Sequence, residues 1–205
     1  MPNSLNELNN LVIFISGTPC TGKTTISTKL NEFLISNGFN TRFIKINDFA
    51  IEKDLVLGED PDKFYKVIDI DKLNEVLNEE IDNFLKEGHM GDSQDKPSKI
   101  VIVEGHLSHL CEGADKMIVL RLHPSELEKR LKERNYSDSK IKENLEAEAL
   151  AVCSAEAYET YGENASEIDT TIKSMDEVLE LIINIMSGDL NSPVGSIDFM
   201  DWFLN

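Results

Sequence analysis

A nine-residue segment, GTPCTGKTT at 17–25, constrains the fold of this chain most strongly because it joins a strand pattern to a helical pattern. The segment follows the apolar, β-branched run LVIFIS at 11–16. After it, apolar side chains recur at helical spacing from Ile26 to Leu34, and Gly38 is a suitable stop. The order of strand, glycine-rich loop and helix predicts that the loop lies at the carboxyl end of a strand in an α/β sheet.

Apolar runs and helical patterns alternate along the rest of the chain. Strands are predicted at 41–46, 100–103, 117–122 and near 167–171, and helices at 73–85, from Pro124, across 137–162 and from Ser174. Strands separated by helices indicate a parallel sheet covered on both faces. The polar segments 47–70 and 132–143 fall outside the alternation and are well placed to cover a ligand site, whereas 88–99 is typical of a surface loop.

The charge balance restricts the partners of this chain. Its 205 residues carry a net charge of −18, which repels nucleic-acid backbones and anionic lipids. A basic protein partner fits this charge, and so does a surface that only keeps the protein in solution. The three cysteines have no metal-ligand spacing, no apolar run could span a membrane, and the N-terminus lacks a signal-peptide pattern. We therefore expect a cytoplasmic protein.

The opening segment also predicts a chemistry, because it matches the pattern G-x-x-x-x-G-K-[ST]. Gly17 and Gly22 let the backbone turn so that successive N–H groups point inward and bind an anion. Lys23 can bridge the outer phosphates of a nucleotide, the Thr24 hydroxyl can ligate Mg²⁺, and Thr25 can contact the innermost phosphate. A simple connecting turn would leave Lys23 unexplained, since a lysine in the first helical turn opposes the helix dipole unless an anion is present.

A second group of candidates follows the predicted strand at 100–103. Glu104 stands where an acid in phosphate-binding loop proteins holds Mg²⁺ or its water. His106 is either a residue that orients a water or acceptor phosphate, or a structural imidazole, and His109 is assigned to packing or the surface. Within the first loop, Cys20 is either a small residue that fits the turn or a redox-sensitive thiol.

A third group surrounds Arg134, one of four arginines in the chain. It lies in a polar break between two helical patterns, which suits a lid that closes over a nucleotide, with Arg130 one turn earlier. The alternative is an arginine near a helix C-terminus. Near the end of the chain, the aromatic residues Phe199, Trp202 and Phe203 either pack on the core or dock a partner.

With these residues identified, the chain resembles the adenylate kinase 6 family, the CINAP-like nucleotide kinases of archaea and eukaryotes, and its archaeal branch in particular. The matching segments are GTPCTGKTT, VEGHLSHL, RLKERNYSDSKIKENLEAEAL and PVGSIDFMDW. The resemblance implies one P-loop kinase domain over 1–205, with a three-layer fold, five parallel strands, a segment near 45–67 for the nucleoside monophosphate and a lid near 133–143.

The same resemblance implies an activity and its residues. It implies phosphoryl transfer from ATP to AMP with Mg²⁺, an ATPase activity, binding to ribosomal protein uS11 and a role in small-subunit rRNA maturation. The ATP-phosphate residues correspond to Cys20, Gly22, Lys23, Thr24 and Thr25. The strand-end acid and histidine correspond to Glu104 and His106, the lid arginine to Arg134, and a residue near the base to Lys173.

Two positions depart from the pattern of the family. The strand-end acid is usually aspartate, whereas Glu104 is one methylene longer and can reach Mg²⁺ directly. Some members have an arginine for the AMP phosphate where this chain has Ile51, and Lys45 or Lys53 can replace it only as a point charge. Two alternatives to an adenylate kinase remain open: an assembly factor switched by ATP hydrolysis, and a kinase for another small acceptor.

Overall fold

The chain forms seven strands and seven α-helices in the part that this computed structural model describes, residues 8–59, 66–87 and 97–204. The strands are β1 (Leu11–Ser16), β2 (Asn40–Lys45), β3 (Val56–Glu59), β4 (Lys66–Ile68), β5 (Lys99–Glu104), β6 (Lys116–Arg121) and β7 (Ala165–Asp169). The helices are α1 (Lys23–Ser36), α2 (Ile46–Glu52), α3 (Ile70–Lys86), α4 (Pro124–Glu133), α5 (Asp138–Ala149), α6 (Val152–Tyr161) and α7 (Met175–Ser187).

A five-stranded sheet is the centre of the fold, with the strand order β2-β5-β1-β6-β7. All four neighbouring pairs are parallel. Phe14 of β1 packs with α2, α3 and α6, whereas Ile13 and Ile15 pack with α1 and α7 on the opposite face. Because both faces of the sheet are buried under helices, the predicted three-layer fold with five parallel strands is confirmed.

Most predicted elements lie where the sequence pattern placed them. α4 begins at Pro124, and Ser174 and Glu177 form the predicted capping box at the start of α7. The polar segment 47–70 contains more structure than expected: α2, and the antiparallel pair of β3 and β4. Residues 60–65, and 88–96 of the predicted surface loop, lie outside the described part of the chain.

The single long helix expected over 137–162 was wrong, because the structure divides it into α5 and α6. Between them, Ala151 adopts a left-handed conformation with φ 55°, although alanine favours a right-handed helix. The two halves pack on different surfaces: Leu145 of α5 joins a small cluster with α4, whereas Ala157 of α6 packs against the sheet. Tertiary packing therefore overrides the helical propensity at this position.

The C-terminal segment packs back on the domain. Pro193 bridges to Ser166 of β7, Phe199 is 7% exposed, and Trp202 packs against the cluster between α4 and α5. Phe203 contacts the Trp202 ring but is 42% exposed. Of the two alternatives for this segment, packing holds for Phe199 and Trp202. None of the described helices is long and apolar enough to cross a membrane.

Candidate functional site

A cavity of about 410 Å³ opens where β1 and β5 end at the carboxyl edge of the sheet. Parallel α/β sheets bind ligands at this edge because loops and helix N-termini converge there. The lining residues are Pro19, Cys20, Gly22, Lys23, Thr24, Thr25, Lys45, Asn47, Asp48, Glu104, Gly105, His106, Arg134 and Tyr136. The cavity thus brings together the predicted loop, the residues after β5 and Arg134, the arginine of the predicted lid.

The loop between β1 and α1 has the backbone geometry that its glycines predict. Gly22, just before α1, has φ 103°, a value that other residues rarely adopt. Gly17 has φ 136°, and a side chain there would collide with the carbonyl oxygen of Leu120. Cys20 also has a positive φ of 71° and lines the cavity. The loop can therefore turn tightly and form a concavity of the kind that binds an anion. The N–H of Thr21 takes no part in it, since it donates to the carbonyl oxygen of Thr18 at 3.3 Å.

Lys23 is the first residue of α1, directly after this loop, and is 8% exposed. Its ammonium donates to the carbonyl oxygens of Gly17 at 2.8 Å and Thr18 at 2.9 Å. Burial lowers the pKa of Lys23 to about 8, and the charge of Glu104 opposes that change only in part. Its hydrogen-bond partners are neutral carbonyls, so the desolvated charge of Lys23 is available to a phosphate.

Thr24 and Glu104 bring two side-chain oxygen atoms together on the β5 side of the cavity. The Thr24 hydroxyl donates to Glu104 Oε1 at 3.1 Å, and Glu104 is 6% exposed. Hydroxyl and carboxylate oxygens are the donors that Mg²⁺ prefers. In the described ranges, no group of three or more His, Cys, Asp and Glu side chains could hold a metal. These two residues therefore fit Mg²⁺ only if phosphate oxygens or waters complete its coordination.

His106 is oriented by the backbone of the loop. Its Nδ1 lies 3.2 Å from the carbonyl oxygen of Gly17. Because a carbonyl only accepts, Nδ1 carries the hydrogen in this bond and Nε2 is left as an acceptor. His106 is exposed, but neighbouring protein atoms remove part of its hydration, and this desolvation, with the charge of Lys23, lowers the pKa of His106. Near pH 7 a neutral His106 can therefore accept a hydrogen bond from water.

His109 takes no part in the cavity lining and is 1% exposed. Its Nδ1 lies 2.7 Å from Ser16 Oγ and its Nε2 lies 2.8 Å from Glu156 Oε2. Burial lowers the pKa of His109, and the hydrogen bond to Glu156 opposes that change. The packing role assigned to His109 is therefore consistent with its position behind the loop.

Arg134 lies at the C-terminal end of a helix, as one of its two alternatives has it, and it also lines the cavity; its role in a lid stays a prediction. Arg134 caps the C-terminus of α4 and lines the cavity with Tyr136, which follows in the same turn. Arg130, one turn earlier, donates to the carbonyl oxygen of Cys20 at 3.4 Å and so contacts the loop. Lys173, assigned to the nucleotide base, lies outside the residues that line the cavity.

The α2 side of the cavity contains two residues that the sequence analysis did not single out, although they lie in the predicted segment 45–67. Asn47 and Asp48 line the cavity at the start of α2, beside Lys45 at the end of β2. Of the two lysines considered for the acceptor phosphate, Lys45 lines the cavity and Lys53 does not. The signal was available, because polar residues directly after a parallel strand face the ligand edge. Ile51, in the place of the expected arginine, is 45% exposed.

Comparisons with known proteins agree with this geometry. A family model described as an AAA domain matches residues 13–151. A protein named "Putative adenylate kinase" from Methanothermobacter thermautotrophicus is 42% identical over 94% of this chain and 99% of its own length. Proteins of the same name from Pyrococcus furiosus and Thermococcus kodakarensis are 39% and 37% identical, over 92% and 93% of this chain and 91% and 94% of theirs. The chain therefore belongs to the AAA domain family of this model and to the same protein family as these relatives.

Proposed function

We propose that the protein is a nucleotide kinase that transfers the γ-phosphoryl group of ATP to a nucleoside monophosphate, with AMP as its acceptor. One observation carries the proposal: Lys23, after the phosphate loop that follows β1, and Lys45, at the end of β2, line a single cavity, and β5 lies between these two strands. A donor and an acceptor phosphate need positive charge at both ends of such a cavity. The name of the relatives supports AMP as the acceptor.

The loop residues act on the donor nucleotide. Lys23 exchanges its two carbonyl partners for phosphate oxygens, and the N–H groups near Gly22 and the α1 N-terminus hold the remaining charge. Thr24 and Glu104 would hold Mg²⁺, which when bound neutralises phosphate charge. Arg134, from the turn between α4 and α5, approaches the same cavity and can stabilise charge on the transferred group. We assign Lys173 to a contact near the nucleotide base.

The acceptor needs a cation but no base. A phosphate monoester loses its second proton near pH 6, so its attacking oxygen is already ionised at pH 7. Lys45 can hold that phosphate while Asn47 and Asp48 offer hydrogen bonds to the rest of the acceptor. The kinase reaction therefore needs no proton acceptor at His106. Its free Nε2 suits a water instead, so we assign His106 to the ATPase activity.

The test is ADP formation from ATP with and without AMP, in the presence of Mg²⁺. We expect AMP to raise the rate well above the rate with ATP alone. His106→Ala should reduce the rate with ATP alone more than it reduces ATP binding. If AMP adds nothing while ATP is still hydrolysed, the kinase half of the proposal fails. A panel of other nucleotides and of sugars then decides between an ATP-driven switch and another acceptor.

We further propose that the protein binds the basic ribosomal protein uS11 and acts in small-subunit rRNA maturation. The net charge of −18 supports this proposal, since it favours a basic partner. A pull-down with purified uS11, with and without ATP, tests it. Binding should weaken as salt is raised, because exposed charges are screened. Failure to bind in every nucleotide state would remove this role without affecting the kinase.

A further inference from the structure

A buried ionic network lies behind the phosphate loop and outside the cavity lining. Arg121, Glu148 and Glu167 are 1%, 1% and 0% exposed. Arg121 Nε donates to Glu148 Oε1 at 2.8 Å, and its Nη1 donates to Glu167 Oε2 at 3.1 Å. Two carboxylates share one guanidinium, so burial of this network is costly unless further donors satisfy the carboxylate oxygens.

The further donors to Glu148 come from two sides. Its Oε1 also accepts from the backbone N–H of Leu122 at 3.0 Å, and Arg121 Nη2 donates to the Glu148 carbonyl at 2.7 Å. Its other oxygen, Oε2, accepts from the hydroxyl of Thr18. Thr18 is a residue of the phosphate loop and is 2% exposed. The carboxylate of Glu148 therefore holds the loop from behind.

Thr18 is also one of the residues that hold Lys23. The Thr18 carbonyl accepts from Lys23 Nζ at 2.9 Å, and from the Thr21 hydroxyl at 2.9 Å. The side chain of Thr18 is thus anchored to Glu148, while its backbone supports the lysine. A loop anchored through Thr18 has fewer conformations to lose when it closes on phosphate, and such preorganisation raises affinity.

We propose that Glu148 is a positioning residue for ATP binding, which Arg121 holds in place and which fixes the phosphate loop through the Thr18 hydroxyl. Glu148 lies in the last turn of α5, the helix that begins directly after the turn with Arg134. The network therefore also connects α5 to the loop. This inference rests on the proposed use of the loop for ATP.

The test replaces the Thr18 hydroxyl and measures the Kd of ATP by isothermal titration calorimetry. We expect Thr18→Val to raise that Kd about tenfold, because an unanchored loop loses more conformational freedom when it closes on phosphate. Thr18→Ser keeps the hydroxyl and should restore the wild-type Kd. Thr18→Ala also removes the hydroxyl, with a smaller side chain, and replaces Thr18→Val in the test if that variant does not fold. Thermal unfolding of each variant confirms that it is folded.

Ser154→Ala is the matched control, because it also removes one buried hydroxyl from the network. Ser154 Oγ donates to Glu167 Oε2 at 3.0 Å, away from the loop, and Ser154 is 1% exposed. We expect a lower melting temperature but an unchanged Kd. An unchanged Kd in both Thr18→Val and Thr18→Ala, or an equal rise in Ser154→Ala, would overturn the inference. A wild-type protein that does not bind ATP would instead overturn the proposed function.

Discussion

The two walls of the cavity are built differently. The loop wall is formed by the phosphate loop, the start of α1 and Glu104 at the end of β5. There, Lys23 and Glu104 are buried and each has hydrogen-bond partners in the fold. On the α2 wall, Lys45, Asn47 and Asp48 are all exposed. A desolvated, positioned charge interacts strongly with phosphate, whereas an exposed charge is screened by water and salt. Under the proposed function, this difference predicts a tightly preorganised donor site and a weaker acceptor site.

Lys23→Ala should have the largest effect, because it removes the desolvated charge from the loop wall. We expect turnover of ATP to fall about 10³-fold, whether or not AMP is present. The measurement is the rate of ADP formation at saturating ATP and Mg²⁺. A variant that keeps near-wild-type turnover would show that this wall does not bind the donor.

Glu104→Gln tests the second buried charge of the loop wall at nearly constant shape. We expect kcat/KM for ATP to fall roughly 10- to 100-fold and half-maximal activity to need more Mg²⁺, because an amide is a weaker metal ligand than a carboxylate. A titration of activity with Mg²⁺ measures both effects. Glu156→Gln is the control, since Glu156 lies outside the cavity lining. The same Mg²⁺ requirement in both variants would contradict the assignment of Glu104.

Lys45→Ala tests the α2 wall, and Lys53→Ala is its matched control. The two lysines cap opposite ends of α2, but only Lys45 lines the cavity. We expect Lys45→Ala to raise KM for AMP about tenfold and to leave KM for ATP unchanged, since one charged contact is lost. Lys53→Ala should leave both values unchanged. Equal effects of the two substitutions would mean that Lys45 has no specific contact with the acceptor.

The smallest expected effect is a dependence of ATP affinity on pH, which comes from Lys23 of the loop wall. Lys23, with a pKa of about 8 in the free protein, is charged below that pH and loses its proton above it. ATP binding should therefore weaken as pH rises, with Kd about twofold higher at pH 8 than at pH 7. Lys23→Arg stays charged throughout this range, so its Kd should not change with pH. The measurement is the Kd of ATP for the wild-type protein and for Lys23→Arg, by isothermal titration calorimetry at both pH values.

The sequence allowed the loop wall to be predicted almost completely. Gly17, Gly22, Lys23 and Thr24 are adjacent in the chain, so one motif specifies their geometry. Glu104 was found because a strand pattern immediately precedes it. The α2 wall was harder to predict, because a short helix directly after β2 leaves a weak hydrophobic pattern. The break at Ala151 was missed because local propensity favours a continuous helix there.

By itself, the sequence determined the alternation of strands and helices, the phosphate loop and the strand-end acid, because each depends on residues close together in the chain. Only the tertiary structure decided which of Lys45 and Lys53 lines the cavity and which carboxylate accepts the hydrogen bond of the Thr18 hydroxyl. Glu148 and Thr18 are 130 residues apart in sequence yet hydrogen-bonded. Contacts of this kind depend on how α5 packs behind the sheet edge, and no local pattern records that packing.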